Sequence, residues 1–132
     1  MSKTSASPSL KTARGLGSAK EGTDHWWMQR LSAIAMMILA PLMIALVIML
    51  IGEDYATAAT KIGTPFWGGV AILFVCASFY HAHLGLQVVI EDYVHEEGTK
   101  FASLTALTFY TLGTAAFALF AIAKIALTGT PN

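Results

Sequence analysis

Charge is scarce in this sequence. Only 12% of the 132 residues are Asp, Glu, Lys or Arg, and the eight basic and eight acidic side chains cancel. A chain with no net charge and no basic block lacks the electrostatic footprint of a nucleic-acid binder. Cysteine is nearly absent as well. Cys76, the single one, excludes an intrachain disulfide; it lies in an apolar run and reads as a small packing residue that says nothing about redox compartment. The first 24 residues contain no apolar core of signal-peptide length and are not expected to act as a secretory signal. There is no internal repeat, no flavin-binding motif, no cysteine set for an iron–sulfur cluster and no dicarboxylate-binding motif.

Apolar residues fill the space that charge leaves. They make up 55% of the chain, with a mean hydropathy of +0.61, values that suit an integral membrane protein better than a soluble domain. Residues 1–24 read as a flexible polar tail on the basic side of a membrane, although their Ser-rich, acid-poor make-up overlaps with that of an organelle transit peptide. Residues 25–132 read as one all-α membrane domain. Its three uncharged runs give spans at about 31–52, 65–90 and 101–124, each long enough to cross a bilayer. Thr23 or Asp24 is the expected N-cap of the first helix, and Pro41 is expected to kink it. Thr64-Pro65 reads as an N-cap followed by the first helical position of the second. Gly68-Gly69 and Gly113 are expected points of close helix approach.

The basic residues before the first span (Lys3, Lys11, Arg14, Lys20 and Arg30) outnumber those of either loop, so the N-terminus is expected inside and the C-terminus outside. His25, Arg30, Asp92 and Tyr93 then come to the inner face, with Trp26 and Trp27. Tyr55, Phe66 and Trp67 go to the outer face. Met36, Met37, Met43 and Met49 read as lipid-facing or packing residues.

The stretch from Tyr80 to His95 carries the chemistry. On a helix, His81, Gly85, Val88, Val89 and Asp92 share one face. Eleven residues separate His81 from Asp92, roughly 16 Å of helix rise. With Asp92 at the surface, His81 sits near the middle of the bilayer, where a polar side chain marks a candidate functional site. Gly85, one turn along, leaves room for a flat ring. His81 is thus either a haem ligand or a hydrogen-bonded packing residue; a six-coordinate haem would need its other ligand from another subunit. His83 projects from another side and reads as an interhelical hydrogen bonder. Asp92 and Tyr93 are either interfacial residues or, with Arg30 and His25, a quinone or propionate site. Glu91, Glu96 and Glu97 read as solvated loop charges.

Two blocks give this chain a family likeness. His25-Trp26-Trp27-Met28-Gln29-Arg30-Leu31-Ser32-Ala33 resembles the entry into the first span of the small hydrophobic membrane anchors of succinate dehydrogenase (respiratory complex II). His81-x-His83-x-Gly85, running to Asp92-Tyr93-Val94-His95, resembles the haem-and-quinone segment of that family. The resemblance implies that His81 is the axial ligand of a b-type haem shared with a second, cytochrome b-type anchor subunit. It implies that Tyr93, with Asp92 beside it, binds ubiquinone, and that Arg30 and His25 lie near the haem propionates and the quinone. The implied partners are that second anchor, a flavoprotein carrying FAD, an iron–sulfur subunit, membrane lipid and quinone. The implied place is a bacterial inner (cytoplasmic) membrane, with the mitochondrial inner membrane as the alternative. The chain would be non-catalytic alone. Competing readings are a haem-free fumarate reductase-type anchor, a non-redox scaffold, and an ion carrier using His81, His83 and Asp92, which the lack of a carboxylate within any span disfavours.

Overall fold

A computed structural model describes residues 19–128, with side chains from Thr23 onward. Four helices account for almost all of it: α1 (Ala19–Leu50), α2 (Tyr55–Gly63), α3 (Pro65–Tyr93) and α4 (Glu97–Thr128). Three are long and apolar enough to cross a membrane, over Thr23–Leu50, Pro65–Tyr93 and Glu97–Thr128. In a bilayer a helix satisfies its own backbone groups, which the lipid cannot do. Most of residues 1–24, read from sequence as a tail, lies outside the described residues. The last part does not: α1 already runs from Ala19, so neither Thr23 nor Asp24 is its cap. Pro41 sits inside α1, which continues unbroken past it.

The chain turns after α1 at Gly52, whose φ of +81° places it in the left-handed region that favours glycine. Lys61 reaches back from α2 to this corner. Its Nζ donates to the Met49 carbonyl at 2.9 Å and pairs with Glu53 at 2.6 Å, placing a cation over the open carbonyls of α1. Helix α2 is absent from the sequence reading, which left 53–64 as a loop. Its N-cap is Asp54, whose carboxylate accepts from the Thr57 N–H at 3.2 Å. Hydrogen bonding from Thr57 holds the Asp54 carboxyl below its usual range. Thr64 caps α3 with Pro65 in its first turn, as expected.

Helix α3 is the middle of the molecule. Helices α1 and α4 both pack against it, and α2 packs on α4 and α3. The core is small: Leu46, Ala59, Val70, Ala71, Leu84 and Leu107 are the buried apolar residues. Large apolar side chains such as Met37, Ile44, Phe109 and Phe117 face outward, the arrangement of a bundle solvated by lipid. Of the three expected close approaches, one is realised. A Cβ on Gly68 would stand 2.9 Å from the Ile62 carbonyl, whereas Gly69 and Gly113 face open space within this chain.

Candidate functional site

The site is built where the N-terminal half of α1 lies antiparallel to the C-terminal half of α3. His25, Gln29 and Ser32 recur at i, i+4 and i+7 on α1, the spacing of one helix face. Ser32 meets His81, and Gln29 meets Gly85, across a seam with α3. Ser32 Oγ lies 3.0 Å from His81 Nδ1, and the Gln29 amide nitrogen lies 3.5 Å from where a Cβ on Gly85 would stand. The room expected beside Gly85 is therefore bordered by Gln29, and the glycine serves the approach of α1.

The hydrogen bonds orient the His81 ring. Ser32 Oγ donates to the Gln29 carbonyl at 3.0 Å. A hydroxyl has one proton; with it on the Gln29 carbonyl, Ser32 meets His81 as an acceptor and places a ring proton on Nδ1. In the neutral ring Nε2 then carries the lone pair, the form in which imidazole binds a metal. His83 is arranged the same way on the other side of α3. Thr111 Oγ1 donates to the Leu107 carbonyl at 2.8 Å and lies 3.1 Å from His83 Nδ1. His83 is thus the interhelical hydrogen bonder expected of it, tying α3 to α4. His81 ties α3 to α1 in the same manner.

Three buried polar atoms have no partner within the described chain: His25 Nε2, Gln29 Oε1 and Ser78 Oγ. His25 and Gln29 lie one turn apart on the face of α1 that carries Ser32, and Ser78 lies one turn before His81 on α3. Buried polar groups as a rule find hydrogen-bond partners, so these orphans mark a place completed by something else.

The remaining expected site residues gather at the same end of the bundle. The Arg30 guanidinium stacks over the Trp26 ring at 4.6 Å, and Trp26 stacks on Trp27. Asp92 is exposed, and Tyr93 is 78% exposed at the end of α3. Among the described residues no ion pair joins Arg30 to Asp92. The Tyr93 carbonyl lies 3.1 Å from His95 Nδ1. The expected gathering of His25, Arg30, Asp92 and Tyr93 at one end is thus present, with the Arg30 and Tyr93 side chains presented outward. Glu96 does more than the solvated role expected of it: its carboxylate accepts from the Gly98 and Thr99 backbone N–H groups and caps α4. Hydrogen bonding from Thr99, then from Gly98, holds its carboxyl below the usual glutamate range.

A groove of about 920 Å³ opens between α1 and α4, with α3 as its floor. Ser32, Tyr80, His83 and Thr111 line one part of it, and Leu39, Leu73 and Leu119 another. Cys76, expected to be packed, is exposed on its wall. Among the described residues no three of His, Cys, Asp and Glu converge as a metal cluster. A haem asks less of one chain: a single axial nitrogen. His81 fits that demand, with Nδ1 hydrogen-bonded to Ser32 and Nε2 as the ligating nitrogen of the neutral ring. Sequence reasoning missed Ser32 and Gln29. Both lie inside a block singled out for other residues, and only their seven- and four-residue spacing from His25 pointed to them.

These features define a class: a small, three-span helical membrane protein whose central helix carries two hydroxyl-bound histidines. Residues 4–115 match the family model described as succinate dehydrogenase/fumarate reductase transmembrane subunit, and the chain belongs to that family. It is 34% identical over 117 residues to the succinate dehydrogenase hydrophobic membrane anchor subunit of Paracoccus denitrificans, an alignment covering 89% of this chain and 90% of the relative. The anchor subunit so named from Rickettsia bellii is 34% identical over 62% of this chain and 66% of its own length. The succinate dehydrogenase membrane anchor subunit of Reclinomonas americana is 34% identical over 64% and 73%.

Proposed function

We propose that this chain is a membrane anchor subunit of a succinate:ubiquinone oxidoreductase in a bacterial inner membrane, with its N-terminus inside. It would dock the flavoprotein and iron–sulfur subunits, share a b-type haem with a second anchor subunit, and contribute to a ubiquinone site at the inner face. The family supports the anchor role. The observation that carries the cofactor reading is the His81 ring, hydrogen-bonded through Nδ1 to Ser32, which leaves Nε2 as the nitrogen for a metal.

The haem, when bound, supplies a one-electron redox centre within the membrane. On this chain His81 Nε2 would be its axial ligand. His25 Nε2 and Gln29 Oε1, buried without partners one turn apart, would serve polar groups arriving at the seam, and the Arg30 guanidinium offers charge-assisted hydrogen bonds to carboxylates such as propionates. At the α3 terminus the Tyr93 hydroxyl would donate to a quinone carbonyl oxygen and hold the ring in place, with Asp92 on the adjoining aqueous side. Reduction of a quinone to quinol takes two electrons and two protons; the iron–sulfur partner would supply the electrons, and the inner aqueous phase beside Asp92 would supply the protons.

A dithionite-reduced minus oxidised spectrum of the purified complex tests the haem reading. Low-spin b-haem bands that vanish in His81→Ala and persist in His83→Ala are the expected result; the reverse would move the ligand to His83. Absence of bands from the native complex would leave the haem-free anchor or the scaffold. Tyr93→Phe tests the quinone reading. Loss of one hydrogen bond of about 1–1.5 kcal/mol lowers quinone reduction about tenfold, while succinate oxidation by a dye acceptor persists. Equal loss of both activities would refute the role of Tyr93.

A further inference from the structure

Ser32 is one of two polar side chains that are buried among the described residues, at 6% exposure; Thr111 is the other. Each lies within hydrogen-bond distance of a histidine Nδ1 of α3 and has a carbonyl of its own helix within reach of its own proton. Inside a membrane span no bulk water replaces such a bond, so the ring opposite is held in one tautomer and one orientation. The outer partner of a metal-bound histidine also sets the basicity of the ligating nitrogen, because an acceptor on the far N–H pushes electron density toward the metal.

Resting on the reading of His81 as an axial ligand, we infer that Ser32 is the positioning residue of that ligand. Its oxygen fixes the proton of His81 on Nδ1, aims Nε2 away from α1, and favours the oxidised iron by making Nε2 a stronger donor. The helical spacing supports this role: Ser32 lies on the same face as His25 and Gln29, whose orphaned atoms mark the same seam. Thr111 pairs in the corresponding way with His83 on the α4 side, which makes it an internal control.

The test uses the complete complex purified in mild detergent, with haem-to-flavin ratio, redox titration and low-temperature electron paramagnetic resonance as readouts. Ser32→Ala should retain haem but raise its midpoint potential and shift its resonance signature. The expected change is a three- to tenfold shift in the oxidised-to-reduced ratio at fixed potential, tenfold being about 59 mV for one electron. Ser32→Thr should restore the native values, and Thr111→Val should leave them in place. Native potential and signature in Ser32→Ala, with haem lost in His81→Ala, would overturn the positioning role and leave the ligand reading intact. Retention of haem in His81→Ala would overturn both. If Ser32→Ala assembles without haem, Ser32→Cys, near in size but a weak acceptor, takes its place: a raised midpoint supports the inference and a native one overturns it.

Discussion

Adjacent glycines at the start of α3 should respond differently to alanine. A Cβ at Gly68 would lie 2.9 Å from the Ile62 carbonyl oxygen, whereas one at Gly69 meets nothing within 4 Å. Both substitutions gain the same helix propensity, about 1 kcal/mol in alanine's favour. Their difference therefore isolates the packing cost at Gly68. The obstructing atom is backbone and cannot swing aside. Ile62 belongs to the last turn of α2, and the corner after it is tied by Thr64 N–H to the Lys61 carbonyl at 3.2 Å and by Thr64 Oγ1 to the same carbonyl at 2.8 Å. Relief requires the α2–α3 corner to open, and overpacking of this kind costs about 1–3 kcal/mol. Gly69→Ala should thus be neutral to stabilising, and Gly68→Ala less stable than it by about 1–3 kcal/mol, roughly a five- to 150-fold difference in the opening equilibrium. Amide hydrogen exchange across residues 60–70, read by mass spectrometry in detergent, measures that opening directly. Equal protection in the two variants would refute the close approach at Gly68.

Three further outcomes are expected. The depressed Glu96 carboxyl contributes stability to the first turn of α4 above the usual glutamate value near 4.5, and that contribution disappears as pH falls through the lower folded value. Exchange at Gly98 and Thr99 should accelerate on acidification beyond its intrinsic pH dependence, and Glu96→Gln should abolish the excess. The His83–Thr111 bond should give a coupling of about 0.6 kcal/mol, at most about 1.7, in a double-mutant cycle of His83→Leu and Thr111→Val followed by denaturant titration; zero coupling would mean that the contact carries no energy. Lys61→Met removes the cation from the Met49 carbonyl and from Glu53. It should fray the last turn of α1 by about 0.5 kcal/mol, because the pair is partly exposed and screened, with faster exchange at residues 49–53 as the sign.

The site was legible only in part. His81, Gly85 and Tyr93 announce themselves, because a histidine deep in an apolar run and a phenol just past a carboxylate are unusual residues in unusual places. Ser32 and Gln29 do not. A serine in a transmembrane helix has many ordinary uses, and only the register of α1 against α3 brings this one to 3.0 Å from a histidine nitrogen. Helix α2 was hidden for a different reason. It is nine residues long and flanked by charge, below the length at which periodicity speaks, and its stability comes from the Asp54 cap and the burial of Ala59.

What the amino acids determine alone is the number of spans and several of their ends. A bilayer accepts only backbone whose hydrogen bonds are internal, so three uncharged runs had to become three helices. Local chemistry at Thr64-Pro65 set the start of α3 without help from the rest of the chain. Tertiary structure alone decided which face of each helix meets which neighbour. These helices are apolar almost all round, so no polar–apolar stripe marks a core side, and lipid offers no hydrophobic drive to choose one. The choice falls to close packing and a few buried hydrogen bonds: Gly68 against Ile62, Ser32 against His81, and Thr111 against His83. Those contacts exist only once the helices are side by side.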